Sequence, residues 1–116
     1  MGNCAVTVIL TSLGAIEGFA GEQPAALIYF AGEGCNVCTV LFPKIEALLH
    51  QEFPRVGLAR VECNAVPEIC AQHRVFSIPT LLLFFDGHES QRFVRNIGIG
   101  ELRQALQRPY RLLFDE

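Results

Sequence analysis

Glu33-Gly34-Cys35-Asn36-Val37-Cys38-Thr39-Val40-Leu41-Phe42-Pro43 follows almost directly on an unbroken apolar run, Ala25-Ala26-Leu27-Ile28-Tyr29-Phe30-Ala31. A continuous apolar run of this length fits a central strand covered on both faces. Val37, Leu41, Ile45, Leu48 and Leu49 then recur at helical spacing, which predicts a helix from about Asn36 to Glu52. The order is therefore strand, short loop, cysteine pair, helix. It puts Cys35 at a helix N-terminus, where unpaired backbone N–H groups and the helix dipole favour an anion. A thiolate in that position has a lowered pKa and is the nucleophile of thiol–disulfide exchange. Two cysteines three apart also lie close enough on a first helical turn to close a small disulfide ring. From the spacing alone, redox chemistry and metal binding are both open.

Outward from this stretch the chain alternates strands and helices. Val6 to Leu10 reads as a first strand. Thr11 or Ser12 is placed to cap a short helix through about Phe19, which Gly18, Gly21 and Pro24 are expected to break. Pro43 falls inside the second helix and should kink it, since it withholds one backbone donor. Phe53-Pro54 ends that helix. Val56 to Cys63 is a third strand, and Pro67 opens a short helix from about Val66 to His73. Thr80 to Phe85 is a buried strand, Asp86-Gly87 a hairpin turn, and Glu89 to Asn96 a more polar edge strand. A last helix follows Gly98 and Gly100 with Ile99, Leu102, Ala105 and Leu106 on one face. Pro109 is expected to interrupt it, leaving an apolar coda at Tyr110, Leu112, Leu113 and Phe114.

The result is βαβαβαββα, a single α/β domain over residues 1–116. A mixed five-stranded sheet lies between helices on both faces.

The 116 residues are enough for one core without staples, and 51% are hydrophobic against 18% charged. A net charge of −3 argues against nucleic acid as a partner. Arg92, Arg95, Arg103, Arg108 and Arg111 cluster late and read as the solvated face of a strand and a helix. No apolar run is long enough to cross a membrane. The N-terminus lacks a basic secretory segment, so the expected compartment is the reducing cytoplasm. There, five cysteines should not form a structural disulfide framework.

Together these residues resemble the thioredoxin family over nearly the whole chain. Three features carry the resemblance: the Cys35–Cys38 pair at a strand-to-helix junction, Pro43 eight residues after Cys35, and Ser77-Ile78-Pro79-Thr80 followed by Leu81-Leu82-Leu83-Phe84. The resemblance implies a thioredoxin fold and a protein that exchanges disulfides with protein substrates, contributing to cell redox homeostasis. Cys35 would be the nucleophile and Cys38 the resolving thiol. The Ile78–Pro79 bond would be cis and lie against the pair. Gly34, Ile78 and Pro79 would then bind an extended substrate strand by β-augmentation, and Pro43 would be structural. The family further implies a thioredoxin reductase or another thiol reductant as partner. It implies no cofactor beyond the redox-active Cys35–Cys38 disulfide, and no metal is expected.

The departures from the family pattern are equally specific. Thioredoxins usually read Trp-Cys-Gly-Pro-Cys where this chain has Gly34-Cys35-Asn36-Val37-Cys38. The missing proline frees a backbone N–H in the first helical turn. The family's buried Asp is replaced by Tyr29, a group with an ordinary pKa near 10 and a poor base at neutral pH. Glu33 is expected to be too exposed to take its place. These changes favour a slower resolving step. They also leave an alternative in view, a thioredoxin-fold binding or chaperone-like adaptor with weak redox activity.

Cys63 and Cys70 are expected to be small buried hydrophobes. A regulatory disulfide between them is the alternative, and a four-cysteine zinc site is disfavoured because their spacing is too wide. Cys4 reads as a terminal thiol, and His50, His73 and His88 as solvated. The segment from Tyr110 to Phe114 is expected to pack on the sheet, or else to offer a surface for a weak dimer.

Overall fold

The computed structural model describes residues 7–114. Its elements are β1 (Thr7–Ile9), α1 (Leu13–Glu22), β2 (Ala25–Ala31), α2 (Asn36–Glu52), β3 (Gly57–Glu62), α3 (Pro67–Gln72), β4 (Thr80–Phe85), β5 (His88–Val94) and α4 (Ile99–Phe114). The strands form one sheet in the order β1-β3-β2-β4-β5. β1 and β2 both pair parallel with β3, while β4 runs antiparallel to β2 and to β5.

β2 is the central strand, and its alternation divides the core into two layers. Ala25, Leu27, Tyr29 and Ala31 face one cluster with Leu41, Ile45, Leu48 and Leu49 of α2 and Leu102 and Leu106 of α4. Ala26, Ile28 and Phe30 face the other, with Ile16 and Phe19 of α1 and Cys70 of α3. Helices α2 and α4 therefore cover one face and α1 and α3 the other. Because both faces are covered, every residue of β2 is fully buried. Its apolar run has no polar alternation for the same reason.

Several expectations need correction. The first strand is shorter than Val6 to Leu10: β1 ends at Ile9, and Val6 lies outside the described residues, as does Cys4. Leu10 still donates its N–H to the carbonyl of Arg60 at 2.9 Å, just beyond the strand. Helix α1 is not broken at Gly18 or Gly21 but runs through both to Glu22, with Ser12 as its cap. Its Ser12 Oγ accepts from the Ala15 N–H at 3.0 Å, and Ile16, Phe19 and Ala20 bury its inner face. That burial outweighs the cost of Gly18 and Gly21 within the helix, about 1 kcal/mol each.

Helix α4 likewise continues through Pro109 to Phe114. The last turn is held from outside the helix. The Tyr110 ring meets Phe53 edge-on at 5.1 Å, and Phe114 lies tilted against Tyr110 at 4.7 Å. The Arg55 guanidinium lies 4.4 Å over the Phe114 ring, and the Arg55 N–H donates to the Tyr110 hydroxyl at 3.2 Å. These contacts offset the hydrogen bond that Pro109 removes. The coda thus packs through Tyr110 and Phe114 on the core cluster between α2, α4 and the sheet, in contact with Phe53 and Arg55, and leaves Leu112 76% exposed. Among the described residues no helix is long and apolar enough to cross a membrane.

Candidate functional site

Cys35 is the residue that caps α2. Its backbone is extended (φ −93°, ψ 98°), and its Sγ accepts from the Cys38 N–H at 3.1 Å. Its carbonyl accepts from the Thr39 N–H and the Thr39 Oγ1, each at 3.2 Å. The sulfur therefore sits where the unpaired donors of a 17-residue helix converge. Cys35 and Cys38 are joined by a disulfide, with their Cα atoms 5.3 Å apart. Cys35 is half-buried at the surface, whereas Cys38 is 1% exposed. Gly34, just before the pair, has φ +73° and is exposed, a left-handed turn that glycine adopts without strain. Pro43 lies one turn deeper and is exposed. α2 passes through it as one helix, without the N–H that would have reached the Thr39 carbonyl.

A second segment approaches the loop that precedes the pair. The Ile78–Pro79 peptide bond is cis. Pro79 is buried and Ile78 half-buried, and the Thr80 Oγ1 donates to the Ser77 carbonyl at 2.7 Å. The Pro79 carbonyl accepts from the Arg95 N–H, also at 2.7 Å. The Ile78 side chain reaches the active loop itself. A Cβ built on Gly32 would come within 2.8 Å of Ile78 Cδ1 and 3.3 Å of Asn64 Oδ1. Ile78 and Asn64 thus pack closely over Gly32.

Asn64 is a residue that sequence reasoning missed. Its Oδ1 accepts from the Glu33 N–H at 2.9 Å and its Nδ2 donates to Glu33 Oε1 at 3.1 Å. It thereby ties the loop before Cys35 to the end of β3. Glu33 itself is exposed. No local pattern around Asn64 marks this role, because both of its partners lie 31 residues away.

Beneath the pair, Tyr29 is fully buried, and its hydroxyl donates to the Cys38 carbonyl at 3.0 Å. Its ring lies 4.9 Å from Phe42. The Arg60 guanidinium stands 4.8 Å from the Phe42 ring and 5.8 Å from that of Tyr29, and is also paired with Glu62. Burial pushes the Tyr29 hydroxyl up to about 12, with the Arg60 charge drawing it partly back. At neutral pH Tyr29 is a fixed hydrogen-bond donor and not a base.

Cys63 and Cys70 are not free buried thiols as expected: they form a second disulfide with Cα atoms 5.8 Å apart. Cys63 is half-buried and Cys70 is buried. The reading failed because Cys63 directly follows β3 and Cys70 lies on α3, and the turn between them folds the two sulfurs together. Cys63 donates its N–H to the Ala31 carbonyl at 2.8 Å, and the Cys70 carbonyl accepts from the Val75 N–H, also at 2.8 Å. The second disulfide is thus tied to the end of β2 on one side and to the segment after α3 on the other. His73 was expected in solvent but is half-buried, its Nε2 enclosed without a hydrogen-bond partner and its ring 6.0 Å from Phe30. His50 and His88 are exposed.

The thioredoxin family model matches residues 17–108. A thioredoxin-like protein of Bacillus subtilis, YdfQ, is 38% identical over 103 residues, which span 89% of this chain and 91% of that protein. The thioredoxin of Chlamydia trachomatis is 44% identical over 80 residues, 67% of this chain and 78% of its own. Among solved structures, a mutant thioredoxin from Halobacterium salinarum superposes with a TM-score of 0.82 at 19% identity, covering 92% of this chain and 93% of its own. At that identity the likeness is one of fold.

Proposed function

Since the chain belongs to the thioredoxin family and is a thiol–disulfide oxidoreductase, we propose that Cys35 is its attacking sulfur and Cys38 its resolving one. The observation that carries this assignment is the difference in access. Cys35 meets solvent at the cap of α2, and Cys38 lies 1% exposed beneath it. In the reduced protein the Cys35 thiolate would accept the Cys38 N–H and face the positive end of the helix, which lowers its pKa.

The Cys35 thiolate attacks one sulfur of a substrate disulfide, forming a mixed disulfide and expelling the other substrate sulfur as a thiolate. Cys38 then attacks the Cys35 Sγ, closing the Cys35–Cys38 bond and releasing the remaining substrate sulfur. Two electrons pass from the pair to the substrate. The Cys38 proton goes to the departing thiolate or to solvent, because Tyr29 keeps its own proton far above neutral pH. The exchange is reversible, and its direction follows the potentials of the two couples.

Gly34 and the backbone of Ile78 are suited to hold an extended segment of a protein substrate beside Cys35. A thioredoxin reductase or a small dithiol recharges the pair. We place this cycle in the cytoplasm, where thiol reductants are abundant. Recovery of the protein in a membrane or secreted fraction would overturn that placement.

Insulin reduction driven by dithiothreitol tests the assignment. Cys35→Ser should abolish turnover. Reduced Cys38→Ser, freed of dithiothreitol and mixed with insulin, should accumulate a mixed disulfide at Cys35, seen as a mass adduct that added dithiothreitol removes. Turnover unchanged in Cys35→Ser would overturn the mechanism and favour an adaptor role.

A further inference from the structure

Beside the cysteine pair runs a groove of about 710 Å³ that the exchange chemistry itself does not use, a volume within the range of ligand clefts. It is continuous with the site, because Val37 lies between the two cysteines and also lines the groove. Val37 and Val40 present apolar surface there, 56% and 60% exposed, and Ile97 is buried beneath. Lys44 lines the groove from α2, and Arg95 and Glu101 line it from the segment around the start of α4. The groove therefore carries two cations and one carboxylate. Glu33, two residues before Cys35, accepts a hydrogen bond from Asn64 and does not line the groove. Among the described residues neither Lys44 nor Arg95 takes part in an ion pair.

Arg95 is held there against its backbone preference. Its φ is +63°, a left-handed conformation that favours glycine. Its N–H donates to the Pro79 carbonyl at 2.7 Å, and its carbonyl accepts from the Ile97 N–H at 3.0 Å. The Arg95 backbone is thus fastened to the proline loop, and the residue lines the same groove as Asn36 and Val37 between the two cysteines. Glycine would serve the turn with less strain, but would offer no charge. Strain retained at a reactive site is a pointer to use.

We infer that Arg95, with Lys44, selects protein disulfides whose cysteine is flanked by a carboxylate, while Val37 and Val40 hold a neighbouring apolar side chain. This rests on the exchange reading above and names the substrate class of that same site. The charge pair sorts substrates at encounter and in the mixed disulfide, and leaves the sulfur chemistry unaltered.

The test uses three disulfide-linked peptides, identical except for Glu, Gln or Lys near the cysteine, with Leu between. For the full chain, kcat/KM should fall in the order Glu, Gln, Lys, with about fivefold between Glu and Gln at low salt, as for exposed ion pairs. The preference should shrink in 0.5 M salt, roughly, because the charges are screened. Arg95→Gly, which suits the backbone, and Arg95→Gln, which keeps the length, should both bring the Glu-to-Gln ratio close to one. Lys44→Gln should reduce it in part. Equal rates for all three peptides, or a preference that survives both Arg95 variants, would overturn the inference and leave the exchange reading standing. Absence of exchange with every peptide, while insulin is also left unreduced, would overturn both.

Discussion

At the scale of single residues, Tyr29 sets the character of the reaction centre. A carboxylate below Cys38 could take its proton, whereas a buried phenol with its proton held up to about 12 cannot. Its hydroxyl instead fixes the Cys38 carbonyl at 3.0 Å. Tyr29→Phe should cost about 1 kcal/mol of stability, the usual net value of one hydrogen bond, measured by urea unfolding at pH 7. It should also change the alkaline limb. The folded-state value lies above the unfolded one, near 10. The folded chain therefore holds a proton that the unfolded chain has lost between about pH 10 and pH 12, and stability falls with rising pH across that window. The loss should be on the order of 2 kcal/mol in the natural chain and absent in Tyr29→Phe. An identical alkaline limb in the two proteins would contradict this account. Arg95 gives a second residue-scale expectation: Arg95→Gly should raise stability by about 1 kcal/mol, by releasing a left-handed side-chain-bearing residue. These two residues were unequally legible. The run from Ala25 to Ala31 showed that Tyr29 would be buried, and the resemblance to thioredoxins put it under the site. Nothing local marked Arg95, whose φ is set by its bond to Pro79, 16 positions earlier.

At the scale of elements, β2, α2 and β4 were read with their observed bounds, because each carries a strong periodic or continuous apolar signal and ends at a clear breaker. Helices α1 and α4 ran past the residues expected to end them. Local propensity disfavours Gly18 and Pro109, but packing of Phe19 and Ala20 in one case, and of Tyr110 and Phe114 in the other, outweighs it. Such contacts join residues far apart and leave no mark in a short window. Gly18 offers a direct check. A Cβ added there meets nothing within 4 Å, so Gly18→Ala should stabilise the protein by roughly 0.5–1 kcal/mol. Thermal unfolding would reveal it as a higher Tm. A lower Tm would mean that the glycine serves some purpose other than its helix.

At the scale of the whole molecule, the sheet brings three distant segments to one end: the loop before α2, the turn after β3 and the proline loop before β4. Cys63–Cys70 fastens the second of these to α3, from which the third departs. Joining two positions seven apart restricts the unfolded chain, a stabilisation of about 2.5 kcal/mol on the loop-entropy model. Changing both cysteines to serine should therefore lower the urea midpoint. Insulin turnover should persist, because Cys35 and Cys38 remain. Sequence reading offered this pairing only as the alternative, because it depends on how tightly the turn at Asn64 folds back, and cysteine spacing alone does not fix that.

Two disulfides also give the molecule two stores of reducing equivalents. A fully reduced chain should release four electrons to an excess of a small disulfide, two from each cysteine pair, and lose four alkylatable thiols among the paired cysteines. The Cys63→Ser, Cys70→Ser protein should release two. Stoichiometry measured under single-turnover conditions therefore distinguishes a second pair that takes part in electron flow from one that stays closed throughout.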